Sequence, residues 1–393
     1  MEVINNFPFA RRTNWRQETN ALNKALEELQ ARHIPVMDLT ASNPTRCGFL
    51  YPDGMLSALN SLDNFHYHPD ARGMKRARQA VAKYYARQKL LLSPSDIILT
   101  ASTSEAYSFL MRLLVNPGEK ILVPKPSYPL FQFLLEINDV HFDYYPLLYD
   151  GQKWRLDTLT LERLVDQKTK AIIVVNPNNP TGSYISRAEL DFLNGLCRKH
   201  QVSIISDEVF FEYPLTPSDA VSCAGNQAAL TFVLGGLSKT LGFPQMKCAW
   251  ILASGPQLVL QESLSRLEII ADTYLSVNTP VQNALSTWLD HAPGLQGQII
   301  ARVKENYQWL SSHLSGHTQL LSLQGGWYAT LRIPAVKSEE EWVLEFIRED
   351  HVSVYPGYFF DFDREAYIVL SLLPPAPIFQ EAAGRIMQRL AKI

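Results

Sequence analysis

From about Met55 to Ala284, short apolar and β-branched runs alternate with stretches of helical spacing. The runs are Ile97–Leu99, Ile121–Val123, Ala171–Val175, Ser203–Ser206, Thr231–Leu234 and Trp250–Ala253. A chain that returns to a strand after each helix predicts a mostly parallel sheet wrapped by helices, with ligands held at the strand ends. The C-terminal part reads differently: a helical tract Val281–Leu314, a hairpin-like strand Gly325–Pro334, a charged helix Ser338–Asp350, the run Val352–Tyr355, a strand Ala366–Leu372 and a closing helix Phe379–Ala391. Ahead of the alternating region stand a helix over Thr19–Arg32 and a loop over Asp38–Tyr51. With 393 residues, 46% of them hydrophobic, there is enough apolar material for one large core and a second smaller one.

Two of the runs close on residues that carry chemistry. Asp207 ends Ile-Ile-Ser-Asp, and Lys239 follows Leu-Gly-Gly-Leu-Ser. A lysine forms a Schiff base with an aldehyde and an aspartate keeps a pyridine nitrogen protonated, the two electronic requirements of pyridoxal phosphate chemistry. Alone the pair is weak, because an aspartate there also serves as a helix cap and Ser-Lys as a solvated turn. A third run gives it context: Ala171–Val175 leads into Asn-Pro-Asn-Asn-Pro-Thr-Gly over Asn176–Gly182, then into a helical stretch from Ser186 to Lys199.

That string resembles the Asn-Pro-x-Asn-Pro-Thr-Gly signature of the class I/II aminotransferases, the aspartate-aminotransferase-like branch of the fold type I pyridoxal phosphate enzymes. The resemblance implies an α/β fold with a mostly parallel seven-stranded sheet in a large cofactor-binding domain over 55–284. It also implies a smaller α+β domain over 285–393 and an N-terminal segment over 1–54 that packs on the small domain and active site. By the same resemblance Lys239 carries the cofactor, Asp207 pairs with its ring nitrogen and Asn179 donates to its phenolic oxygen. Tyr128 stacks on the ring, Ser238 touches the phosphate, and Ser102, Thr103 and Ser104 form the phosphate cradle. In Ile97–Tyr107 a strand, a hydroxyl run and a helix start follow one another; helix N-terminal N–H groups attract anions, although Ser102 or Thr103 can equally be an ordinary cap. Tyr67 resembles a tyrosine that reaches the phosphate from a partner subunit, which implies a homodimer with shared sites.

Four positions depart from the pattern. Lys247 stands where an arginine grips the phosphate, giving a point charge in place of a planar fork. Gly236 replaces a phosphate-binding serine. Phe210 replaces a tyrosine that donates to the phenolic oxygen, so the cofactor is expected to stay protonated to higher pH. Val369, in Tyr-Ile-Val-Leu-Ser, occupies the place of an arginine that clamps the substrate carboxylate, and an apolar side chain cannot replace it. Either another cation does that work or the substrate is not a simple α-amino acid: Arg46 in Ala-Ser-Asn-Pro-Thr-Arg and Arg364 before the last strand are the candidate replacements, with Asn43 of the same segment as Arg46 a further candidate for the substrate.

These features predict an aminotransferase that moves an amino group from an amine donor to a keto acceptor. A carbon–sulfur lyase and a cofactor-binding protein without turnover are the alternatives. A net charge of −3 supplies no basic footprint for nucleic acid. No segment is long and apolar enough for a bilayer, and Met1–Arg12 lacks the apolar stretch of a secretion signal, so a cytoplasmic protein is expected. Cys47, Cys197, Cys223 and Cys248 lack metal or redox spacing and are read as reduced packing residues; no metal is expected.

Overall fold

The computed structural model describes residues 8–15, 19–216, 219–364 and 366–392. Residues 1–7, 16–18, 217–218, 365 and 393 lie outside it, and with them most of the stretch Met1–Arg12.

Eight strands form the large sheet: β1 Ile97–Thr100, β2 Lys120–Lys125, β3 His141–Tyr149, β4 Trp154–Leu156, β5 Thr169–Val175, β6 Ser203–Asp207, β7 Thr231–Gly236 and β8 Ala249–Ser254. Their spatial order is β1-β8-β7-β6-β5-β2-β3-β4. The pairs β2–β3, β2–β5, β5–β6 and β6–β7 are parallel, whereas β8 runs antiparallel to both neighbours and β4 antiparallel to β3. The expected count of seven is therefore corrected to eight, because the three-residue β4 adds an edge. All six strands read from apolar runs are present. β3 and β4 escaped that reading because β3 is only partly buried and carries Pro146, a composition that suits the edge of a sheet and breaks the apolar run.

Alternate residues of the central strands bury on opposite faces. Ile172, Val174, Ile204, Val233 and Leu252 belong to one core, and Ile173, Val175, Ile205, Phe232 and Ile251 to the other. This is the pattern of a sheet covered by helices on both sides. The helix Arg187–His200 starts where the sequence dictates: Ser186 caps the Glu189 N–H while the Glu189 carboxylate returns to the Ser186 N–H.

The expected tract Val281–Leu314 is two helices, Thr279–Asp290 and Ala292–Ser312, separated at His291. Pro293 is the physical reason, since it lacks the N–H that would continue the first helix and suits the opening turn of the second. Leu295 packs in the large core and Ile299 in a third, so the second helix spans both. That third core surrounds an antiparallel sheet of Gln319–Leu320, Tyr328–Arg332, Tyr367–Ser371 and Tyr355–Pro356. Leu22, Ala25 and Leu29 of the helix Ala21–Ala31 bury in it beside Val343, Phe346 and Ile347 of the helix Glu339–Asp350. Met37–Asp38 pairs in parallel with Val352–Ser353. All four cysteines are buried and free, and no helix among the described residues is long and apolar enough to cross a membrane.

Candidate active site

The carboxyl ends of β5, β6 and β7 deliver Asn179, Asp207 and Lys239 to one side of the sheet. Asp207 ends β6, where its Oδ1 accepts from the Val209 N–H at 3.2 Å and its Oδ2 from the Tyr107 hydroxyl at 3.0 Å. Burial pushes its carboxyl up to about 6, against the pull of those two hydrogen bonds and of the Lys239 charge. Lys239 lies in the one-turn helix Leu237–Thr240 after β7. Its Nζ sits 5.3 Å from the centre of the Phe210 ring and 5.1 Å from that of Trp327. Burial lowers this amine to about 8, with Asp207 opposing the shift. The aspartate and lysine thus feel each other's charge beside the Phe210 and Trp327 rings.

Asn179 is 8% exposed, and its carboxamide Oδ1 is buried without a protein partner. Its neighbour Asn178 is spent on structure: Nδ2 donates to the Pro126 carbonyl, and Oδ1 accepts from the Thr181 N–H and hydroxyl. The bond to Pro126 ties this loop to the segment carrying Tyr128, whose ring meets Phe131 edge-on. Phe131 in turn contacts Tyr107, the residue on Asp207. Tyr107 was not singled out from the sequence, yet its place four residues after Thr103 on the same helix is a signal for it.

The hydroxyl run opens the helix Thr103–Leu114. Ser102 is its cap, accepting from the Glu105 N–H at 3.1 Å. Its hydroxyl is thereby committed, while the Thr103 and Ser104 N–H groups, at the first two helical positions, have no intrahelical acceptor. Ser238 is half-buried and Lys247 exposed, the latter in a left-handed conformation after Pro244–Met246. Gly236 is explained by packing: a Cβ there would lie 2.8 Å from that of Ala249 on β8, which leaves no room for serine without displacement.

The structure does not bring every candidate together. Tyr67 is 74% exposed and lines an outer hollow with His66, His68, Leu275 and Thr279, apart from the other candidates. Arg364 is exposed and lines a surface hollow with Leu148, Trp154 and Tyr367. Asn43 and Arg46 are exposed on a turn whose Pro44 covers Gly242, just beyond the lysine. The Asn43 side chain accepts from the Thr45 N–H and hydroxyl. Val369 is fully buried, paired across the small sheet with Thr330 and Tyr355. The Thr330 hydroxyl reaches the Pro180 carbonyl at 3.4 Å, so Val369 shares the face turned toward the Asn179 loop.

With this geometry in place, the known proteins it resembles can be named. Residues 34–374 match the family model for aminotransferase class I and II, and the chain belongs to that family. A glutamate-pyruvate aminotransferase, AlaA, of Haemophilus influenzae is 26% identical over 94% of both chains. A tyrosine aminotransferase of Bos taurus is 27% identical over 94% of this chain and 86% of its own. In fold, an alanine aminotransferase from Pyrococcus furiosus superposes with a TM-score of 0.87 over 98% of this chain and all of its own, at 24% identity. An Escherichia coli aminotransferase does so with 0.85 over 98% of each, at 22% identity. The protein is a fold type I aminotransferase dependent on pyridoxal 5′-phosphate, acting on an amino donor and a keto acceptor. These relatives support neither elimination chemistry nor binding without turnover.

Proposed function

We propose that Lys239 is the amine that takes up the cofactor aldehyde, with Asp207 facing the ring nitrogen, Asn179 the phenolic oxygen and Tyr128 the ring face. The observation that carries this reading is the Lys239 amine itself, buried between two aromatic rings and Asp207 with its affinity for a proton reduced. The cofactor fits the residues present: the Asn179 carboxamide, whose buried Oδ1 has no protein partner, is not committed to the fold, and its Nδ2 would donate to the phenolic oxygen. The Thr103 and Ser104 N–H groups, with the hydroxyls of Thr103, Ser104 and Ser238, suit a phosphate, whose charge the helix N-terminus favours.

When bound, pyridoxal phosphate supplies an electron sink for the carbon that bears the amine. The protein's share is proton handling and orientation. At neutral pH Asp207 is mostly ionised and holds a proton on the ring nitrogen, while Tyr107 fixes its carboxylate. The Lys239 amine, close to its own titration point, removes and returns the proton at the donor carbon. Lys247 adds a positive charge for the phosphate, and Tyr67 of a second copy completes the anchor.

The names of the relatives support an amino-acid donor and a keto-acid acceptor. Because Val369 presents no charge, the turn of Asn43 and Arg46 is the proposed carboxylate contact, Asn43 setting the turn and Arg46 supplying the charge. Replacing Arg46 with alanine raises the donor KM under this reading; an unchanged KM removes it. We further read the protein as a cytoplasmic homodimer. Exposed Leu56, Leu62, Phe65 and Tyr67 support the dimer. The division into 1–54, 55–284 and 285–393 is supported by the burial of Leu22, Ala25 and Leu29 in the C-terminal core. Borohydride reduction of cofactor-loaded protein followed by peptide mapping tests the central claim, which falls if the tagged peptide does not contain Lys239.

A further inference from the structure

Two consecutive side chains after β6 reach two consecutive carbonyls of the lysine turn. Tyr213 donates its hydroxyl directly to the Lys239 carbonyl. Glu212 reaches the next carbonyl through intermediaries: the Tyr84 hydroxyl donates to Glu212 Oε1 at 2.9 Å, and Gln296 Nε2 donates to the Tyr84 oxygen at 2.8 Å. The same Nε2 donates to the Thr240 carbonyl at 3.1 Å. These are the last two carbonyls of the single turn Leu237–Thr240, so holding them fixes the backbone from which the Lys239 side chain leaves.

The carboxyl of Glu212 is not built as a structural acceptor. Its Oε2 is buried with no partner, and beyond Tyr84 the carboxyl has only its own backbone N–H and the Gln88 amide, the latter at 3.5 Å from Oε1. The titratable groups facing it are Glu208 from its own loop, Tyr84 and Tyr85 from the helix Lys75–Ala86, Tyr184 from the loop after Gly182, and Tyr213. All of them are acids, and none offsets a negative charge. By contrast, the equally buried Glu208 accepts from Asn176, Ser206, Ser222 and the Cys223 N–H.

We propose that Glu212 is a positioning residue for amino transfer, whose ionised form fixes the polarity of the Tyr84–Gln296–Thr240 relay and thereby aims Lys239. A tyrosine hydroxyl has one proton to give. With Glu212 ionised, Tyr84 gives it to the carboxylate, and its oxygen is free to accept from Gln296, whose nitrogen then also holds Thr240. A proton on Glu212 removes the negative charge that holds the Tyr84 hydroxyl: on Oε1 it reverses the first bond, and on Oε2 it leaves only a neutral carbonyl to accept from Tyr84. Either way the Tyr84 oxygen is held less firmly for Gln296, and the hold on the Thr240 carbonyl loosens. Burial places this carboxyl at about 7, so both forms are populated near neutrality.

The inference rests on the reading of Lys239 given above. Its test compares wild type, Glu212→Gln and Tyr84→Phe as holoenzymes, with kcat and KM followed from about pH 5.5 to 8.5. In the wild type kcat falls as pH drops through 7, beyond the fall that Lys239 and Asp207 themselves impose, with KM unchanged. Glu212→Gln accepts from Tyr84 without titrating and keeps only the dependence set by those two groups, so the ratio of wild-type to variant kcat falls by up to about tenfold per pH unit below 7, while Tyr84→Phe has the variant's profile at a lower kcat throughout. Cofactor-free protein provides the second readout: exchange of the amides over 237–242 accelerates below pH 7 in wild type, beyond the intrinsic pH effect, but not in Glu212→Gln. A ratio of wild-type to Glu212→Gln kcat that stays constant with pH overturns the proposal, as does a change confined to KM or to thermal stability. Peptide mapping of the reduced wild type separates the two failures: cofactor on Lys239 with a constant ratio sinks only the relay, whereas cofactor elsewhere sinks the site reading.

Discussion

At the scale of single residues, the proposed chemistry rests on Lys239 and its neighbours. Desolvation lowers the amine to about 8 while Asp207 pulls the other way, so the lysine exchanges protons near physiological pH. Lys239→Ala is expected to reduce turnover by ~10²–10⁴-fold or more while the fold is retained, checked by single-turnover absorbance alongside circular dichroism. Phe210 puts a buried ring, not a hydroxyl, beside the amine. Phe210→Tyr restores a donor to that neighbourhood and is expected to lower the pH midpoint of the bound cofactor's absorbance by about one unit. A spectrum that titrates identically in both proteins refutes the assigned role of position 210.

At the scale of elements, helix starts and strand ends place these residues, and their local devices are separable from catalysis. Ser186 and Glu189 form a reciprocal cap on the helix Arg187–His200, which covers the large sheet. Ser186→Ala is expected to cost about 1 kcal/mol in urea unfolding and to leave kcat unchanged. Gly236 has a steric origin: Gly236→Ser crowds Ala249 and is expected to destabilise by about 1–3 kcal/mol without tightening the cofactor. A tighter cofactor with undiminished stability contradicts that account. The sequence marked both places, since a Ser-x-x-Glu start is local, but the reason for Gly236 lies on β8 and was not legible.

At the scale of the whole molecule, buried acids link folding to pH. The Asp207 carboxyl is pushed up from 3.8 to about 6, so the fold favours its protonated form. Its favourable contribution is fully present below 3.8 and is lost as pH rises through 6. In cofactor-free protein Asp207→Asn therefore gains stability relative to wild type as pH rises from 4 to 8, by ~3 kcal/mol at most, measured from urea midpoints at both ends. A gap that stays constant across that range rules this out. The proposed homodimer is tested at the same scale: Phe65, 87% exposed, is expected when changed to aspartate to yield a monomer with weakened cofactor retention in sedimentation and dialysis.

The amino-acid sequence alone determined what depends on near neighbours in the chain. It defined six of the eight strands of the large sheet, the capped helices, and the position of Asn179, Asp207 and Lys239 after strand ends, because apolar runs, caps and strand-end residues are written locally. Only the tertiary structure decided what depends on meetings across the chain: Tyr107 on Asp207, 100 residues away, Trp327 beside Lys239, the covering of Gly242 by Pro44, and the burial of Val369 against Thr330 and Tyr355. Such contacts follow from which faces pack together, a property of the assembled cores that no window of sequence contains.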